Sequence, residues 1–326
     1  WWYVPYQPMQ AKGQPTLGST AFRAPNPPFG ATFTYHLESE IQASKAARRE
    51  GERKLDEAGK DVPFPGWDQL RAEHLSSDPV VLLIVKTEGG EPVRSVPAEC
   101  TAGLHRASWD LRLPPPDPVK LETPGFQPPW MPNPQGALVP PGRYSVELVY
   151  LSSNGSEVLA GPQLFEVRAV AAVEESSGLD RTQAFGRDAF DLARRVAGAG
   201  KRVDSARDRI RHLRAGMIAT PAAADLLIRL DQIKGRLEDV ALRLHGDPIR
   251  EKLSEPASPS VRSIVERITV HAGNTTGAPT ATQRLAIDSA AVAFDSIQNV
   301  LSDLIDNELA NLTVDLDDAG GPWTPR

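Results

Sequence analysis

From Phe185 to Met217 the chain carries one sustained apolar stripe. Phe185, Ala189, Leu192, Val196, Ala199, Val203, Ala206, Ile210, Leu213 and Met217 follow one another at alternating steps of four and three. That period places all of them on one seam of an α-helix, and a strand cannot accommodate it, because strand faces alternate every two residues. A stripe of this length needs comparable helices to cover it. Leu226, Leu230, Ile233, Leu237, Val240 and Leu244 repeat the spacing. Thr220-Pro221 before them is an N-cap followed by proline at the first helical position, and Gly246-Asp247-Pro248 after them is a stop. A shorter helix carries Val261, Ile264, Val265 and Ile268. After Gly277-Ala278-Pro279 a fourth presents Ile287, Ala290, Phe294, Ile297, Leu301 and Leu304. Short connections between long amphipathic helices predict antiparallel neighbours, hence an antiparallel helical bundle over residues 173–326.

Charge agrees with that packing. Residues 285–325 hold eight acids and no Lys or Arg, whereas residues 181–214 hold ten bases against four acids. Complementary flanks of two packed helices account for both biases without a ligand. At about 0.3–0.5 kcal/mol per exposed pair, such charges set register more than stability. The net charge of −6 argues against reading the basic helix as a nucleic-acid surface.

Residues 31–172 have a different period. Phe33–Leu37 alternates, Val80–Val85 is an apolar run of strand length, and Gly89-Gly90 marks a turn before Pro92–Val96. Trp109 and Leu111 alternate with Asp110 and Arg112. Tyr144, Val146, Leu148 and Tyr150 share one face, and Leu164–Val170 finishes the set. Short strands separated by turn signals predict an Ig-like β-sandwich. Residues 39–60 interrupt it with Glu, Lys, Arg and Ala but almost no apolar stripe, and read as a solvated helical insertion between two strands. The proline-dense stretch Pro114–Pro141 reads as a long surface loop. Residues 1–30, rich in Pro, Gly and Gln, read as a semi-rigid linker.

With 40% apolar and 24% charged residues, the chain suits two globular domains, each able to bury its own core. No apolar run approaches the roughly 20 residues a membrane-spanning helix needs. The single cysteine, Cys100, excludes an internal disulfide and reads as a small half-buried residue beside a strand rather than a reactive thiol. The chain opens Trp1-Trp2-Tyr3-Val4, with neither an initiator Met nor the charged and apolar regions of a signal peptide. It is therefore expected to start inside something longer. Trp1, Trp2 and Tyr3 are expected to form an orphaned interface, since burying each large aromatic is worth about 2–3 kcal/mol.

Catalytic patterns are scarce. His36, His74, His105, His212, His245 and His271 show no zinc-ligand spacing, and there is no Gly-x-Ser-x-Gly elbow, phosphate loop or dinucleotide fingerprint. Asp315, Asp317 and Asp318 beside Gly320-Gly321 lack the later glutamate of a calcium loop and read as a solvated acidic cluster in the tail. Glu174-Glu175 reads as linker. Trp67, Trp109, Trp130 and Trp323 could in principle stack on sugars; Trp109 reads as core. Trp130, within Pro128-Pro129-Trp130-Met131-Pro132, is the better candidate for an exposed contact.

Several stretches carry a resemblance. Asn26-Pro27-Pro28-Phe29-Gly30-Ala31, leading into Phe33-Thr34-Tyr35, resembles the junction after the β-propeller of bacterial sortilin-like, BNR-repeat proteins, a family often labelled glycosyl hydrolases. Gly103-Leu104-His105-Arg106-Ala107-Ser108-Trp109-Asp110-Leu111-Arg112 is similar to a strand of their following Ig-like domain, which also resembles flagellar-hook-cap-type Ig modules. Pro141-Gly142-Arg143-Tyr144-Ser145-Val146 is similar to a turn and strand of the same module, and Gly321-Pro322-Trp323-Thr324-Pro325-Arg326 to the family's C-terminus. The resemblance implies a parent with an N-terminal propeller, exported to the periplasm or cell exterior. No Ser-x-Asp-x-Gly-x-Thr-Trp box occurs here, so no propeller residue of the family carries over to this chain.

The expectation is a non-catalytic accessory and interaction region that braces or presents a propeller. It has no catalytic, metal or cofactor residues, and its interface candidates are Trp1, Trp2, Tyr3 and Trp130. The expected partner is the parent's propeller or another polypeptide, with no nucleic acid and no membrane span. The alternative is a part of a glycoside hydrolase that contributes to carbohydrate binding or to hydrolysis through two facing carboxylates.

Overall fold

The computed structural model describes residues 27–121, 134–153, 155–169, 176–220, 224–274 and 277–325, the side chains of 176–181 excepted. The chain is a mixed α and β protein that divides into two compact units, one built on strands and the other on long helices.

The strand unit runs β1 (Ala31–Leu37), α1 (Ser44–Glu57), α2 (Trp67–Leu75), β2 (Val80–Thr87), β3 (Pro92–Ala98), β4 (Gly103–Trp109), β5 (Gly142–Ser152) and β6 (Gly155–Val167). All pairings are antiparallel. β1 pairs with β4 in one sheet, and the second sheet has the order β3-β2-β5-β6. The two sheets share one core. Tyr35, Leu37 and Trp109 come from the first, and Val81, Leu83, Val85, Tyr144, Val146 and Leu148 from the second. Alternation along each strand is what allows this, since residues two apart share a face.

The sheets are joined by aromatic rings. Trp109 lies 5.9 Å from Tyr144 and 6.2 Å from Phe165 between centroids, both edge-on, and Phe165 also meets Phe33 at 5.3 Å. The polar ends of these rings find backbone partners. Trp109 Nε1 donates to the Arg112 carbonyl at 2.9 Å, and Tyr144 Oη donates to the Pro140 carbonyl at 2.7 Å. Burial raises the Tyr144 phenol above its ordinary pKa. Gly30 is required by the approach to β4, because a Cβ there would fall 1.9 Å from the Trp109 carbonyl oxygen at a φ of +112°.

Two sequence expectations change. The insertion between β1 and β2 is not confined to 39–60: it continues through a second helix, α2, whose nine residues are too few for an apolar period to show. β6 begins at Gly155, well before Leu164, because its first ten residues are exposed and lack the apolar alternation of a half-buried strand. Leu111 lies beyond the end of β4 at a φ of +57°. Of the proline-dense stretch 114–141, residues 122–133 lie outside the described residues, as do residues 1–26 of the linker.

The helical unit runs α3 (Ser176–Ile218), α4 (Ala224–His245), α5 (Pro248–Lys252), α6 (Val261–Asn274), α7 (Ala281–Ser302), a π-helical turn (Asp303–Glu308) and α8 (Leu309–Asp318). Of the α3 stripe, Ala189 through Met217 are buried and Phe185 packs against them, and the stripes on α4 and α7 face the same core. Thr280 and Gln283 form a reciprocal capping box that starts α7. The Thr220 hydroxyl donates back to the Gly216 carbonyl at 2.8 Å and closes the end of α3, while Pro221 lies outside the described residues.

The apolar stripe of α7 continues as Leu304, Leu309, Leu312 and Leu316, with a step of five between the first two. The π turn absorbs that extra residue, so the seam keeps facing the core. Asp315, Asp317 and Asp318 consequently stand in the last turns of a helix and not in a tail.

Helix directions depart from a simple antiparallel bundle. Arg207 pairs with Glu238 and Arg214 with Asp231, numbers that move oppositely, so α3 and α4 are antiparallel. Arg195 meets Asp295, Arg202 meets Asp306, and Arg209 meets Thr313, numbers that rise together. The α7–α8 helix is therefore parallel to α3. Chain reach explains this. The six residues between α6 and α7 span at most about 25 Å, and Ala281 lies about 21 Å below the level of Arg195. α6 starts beside the end of α4, with Ser260 3.7 Å from a Cβ built on Gly246, so it must run the same way as α4 to reach that point. The unit thus has three columns: α3, its parallel partner α7–α8, and a broken antiparallel column of α4 followed by α6.

Leu237 is wholly buried in α4. Leu237→Asp places an unpaired carboxylate in the seam and is expected to cost about 4 kcal/mol, read as a lowered urea midpoint for the helical transition. Tyr144→Phe leaves the Pro140 carbonyl without its donor and is expected to cost about 1–1.5 kcal/mol by the same measurement on the strand transition.

Candidate functional site

The surface most unlike a satisfied exterior is on the insertion between β1 and β2. Neither α1 nor α2 buries a residue. What joins them is charge. Arg48 of α1 forks onto Glu73 of α2, Nε to Oε1 at 2.8 Å and Nη2 to Oε2 at 2.9 Å, while its Nη1 reaches Glu52 at 2.6 Å. Gln69 donates to the same Glu73 carboxylate at 3.2 Å. The two side chains are only 17% and 6% exposed, and the Arg48 guanidinium holds the Glu73 carboxyl below its usual range. Planar, bidentate pairing is the geometry in which an ion pair gives orientation as well as attraction.

Because the polar sides clasp one another, the apolar sides of α2 and its lead-in face solvent. Phe64, Trp67 and Leu75 are 63%, 68% and 82% exposed, and the Phe64 and Trp67 rings meet edge-on at 5.2 Å. Trp67, Leu70, Arg71, His74 and Leu75 together line a shallow groove. Aromatic, leucine and arginine side chains on a raised ridge are the composition of a protein contact surface, and hydrophobic contact and ring stacking are the chemistry available to it.

Trp1, Trp2, Tyr3 and Trp130 lie outside the described residues, as do Glu174 and Glu175. Of the tryptophans weighed as a sugar platform, Trp109 is 1% exposed and belongs to the core; Trp67 is exposed, with Phe64 as its ring neighbour. Cys100 is half-buried and its carbonyl accepts from the Ile41 amide at 2.8 Å. His105 is half-buried, with Nε2 2.8 Å from the Thr101 carbonyl and its ring against Tyr35. Asp315 accepts from Arg229 at 2.6 Å. Among the described residues no three His, Cys, Asp or Glu side chains converge as a metal site would require. No described helix is long and apolar enough to cross a membrane.

Sequence reasoning passed over the ridge. Trp67 was visible only as a single aromatic, since Phe64 precedes α2 and Leu70 and Leu75 are five apart, which makes no helical stripe. The one available signal was Pro63-Phe64-Pro65-Gly66-Trp67, an aromatic pair among residues that keep a backbone extended or turned. Compared with known proteins, the chain matches no family model, no curated protein and no solved structure.

Removing the clasp and removing the ridge should behave differently. Arg48→Ala is expected to speed amide exchange several-fold through α1 and α2 while leaving the strands unchanged, as read by hydrogen exchange. Trp67→Ala, at an exposed position, is expected to leave the strand midpoint within about 0.5 kcal/mol of the parent chain.

Proposed function

We propose that this chain is a non-catalytic accessory and interaction region of a secreted protein, with an Ig-like β-sandwich and a helical bundle that brace or present a neighbouring β-propeller. The observation that carries the interaction reading is the Phe64, Trp67 and Leu75 ridge, on an insertion whose two helices bury no residue.

The Ig-like assignment is supported by strand order. β1 with β4, and β3-β2-β5-β6, correspond to the B–E and C′–C–F–G pairings of immunoglobulin-type sandwiches. Tyr144, near the start of β5 and bonded back to the Pro140 carbonyl, occupies the place of the tyrosine corner at the start of strand F. On this mapping α1 and α2 replace the B–C loop, which in variable-type sandwiches is one of the recognition loops. The segments resembling the post-propeller module, Gly103–Arg112 and Pro141–Val146, supply Trp109 and Tyr144 to the aromatic core, so they are framework residues. Periplasmic or extracellular placement and the propeller itself rest on that resemblance alone.

The coding frame upstream of Trp1 is the direct test. Propeller repeats with Ser-x-Asp-x-Gly-x-Thr-Trp boxes are expected there, and a frame without any removes the propeller reading. With the propeller produced separately, the chain is expected to bind it, and Trp67→Ala to weaken that binding about tenfold or more. Aryl glycosides should not turn over on the purified chain; turnover abolished by a single Asp or Glu substitution overturns the non-catalytic assignment.

A further inference from the structure

Four of the six histidines are exposed and His105 is half-buried against Tyr35; among the described residues only His245 has a ring nitrogen buried without a hydrogen-bond partner. It is the last residue of α4, at the break where α6 takes over the column, and Gly246 at a φ of +98° follows it. Its ring lies against the backbone of α3 at Gly200: a Cβ there would stand 2.7 Å from Cε1 and 3.2 Å from Nε2. Any larger residue at 200 would displace the ring. His245 Nδ1 is buried without a hydrogen-bond partner. The ring therefore works as a packing piece between α3 and the broken column.

We propose that His245 is a pH-sensitive joint: its neutral ring seats on Gly200 and closes the break between α4 and α6, and protonation unseats it and loosens that break. An imidazolium must donate from both nitrogens, and a buried N–H without an acceptor is costly. The charged groups facing the ring are mixed. Arg262 and Glu266 come from α6, and Asp204 and Arg207 from α3. Arg262 is paired with Glu266 at 2.6 Å and Arg207 with Glu238 at 2.5 Å, while Asp247 of α5 caps its own helix. Asp204 lies 3.7 Å from Lys201 and 3.9 Å from Arg207, so among the described residues each carboxylate facing the ring already has a cation beside it.

Burial accordingly pushes the His245 imidazole below its usual pKa, and Arg262 and Arg207 add to this against Asp204 and Glu266. A group with a lowered folded pKa stabilises the fold above its unfolded value, about 6.5, and loses that contribution as pH falls through the folded value. The stability of the joint is thus expected to fall on acidification and to be complete at neutral pH.

Two measurements on the intact chain test this. In an NMR titration the His245 imidazole is expected to protonate below the value of a peptide histidine; titration at or above that value overturns the proposal. In hydrogen exchange corrected for intrinsic rates, residues 196–207, 240–246 and 260–268 are expected to lose about tenfold in protection between about pH 7.5 and about pH 5, beyond any loss elsewhere in the helical unit. His245→Gln and His245→Phe carry no titrating ring and are expected to keep protection at both values. An equal loss in either folded variant, or no loss in the parent chain, overturns the joint.

Discussion

The buried seam of α3 is the constraint on which the helical unit depends. A helix of 43 residues is about 65 Å long, and its apolar stripe must be covered along that length. Two columns do so by different means. α7 continues through a π turn into α8, which absorbs a one-residue irregularity in its stripe and keeps Leu309, Leu312 and Leu316 on the core side. The other column is assembled from two shorter helices running the same way, and the chain has to stop and restart between them. Gly246, the Asp247 cap and Ser260 at the head of α6 serve that interruption, since Ser260 Oγ accepts from the Ser263 amide at 3.2 Å.

Among the described residues, interruption creates the one place in the seam where a titratable ring sits. Elsewhere the core is Leu, Ile, Val, Ala, Met and Phe, and the charges stand at its margins: Arg195, Arg202 and Arg209, seven apart, reach the parallel helix at every second turn. Solvent limits the Arg195 and Arg202 ion pairs to under about 1 kcal/mol each, while Arg209 is half-buried, and together the three fix which face of α7–α8 meets α3 and with what register. His245 differs because its ring lies between the Gly200 position of α3 and a helix break.

The strand unit divides its labour in a comparable way. Its core is carried by Trp109, Tyr144 and Phe165, and the polar atoms of Trp109 and Tyr144 are satisfied by backbone carbonyls, so the sheets are joined without help from α1 or α2. α1 and α2 are held by an arginine fork instead of an apolar seam. That choice leaves the apolar side chains of α2 and its lead-in in solvent, which is the physical basis of the proposed recognition role.

Periodicity determined much of this from the sequence alone. The stripe from Phe185 to Met217, those of α4 and α7, and the alternation in β1, β2 and β5 each follow from local geometry that any packed helix or half-buried strand must obey. The charge bias between residues 181–214 and 285–325 likewise announced that these two segments would meet. Direction was not legible, because a heptad stripe reads the same whether its partner runs up or down; only the reach of the chain between α6 and α7 decides that α3 and α7–α8 are parallel. Neither was α2, since a helix that buries nothing leaves no apolar period in its sequence, nor the place of His245, whose neighbours Gly200, Asp204 and Arg262 are brought together by packing alone.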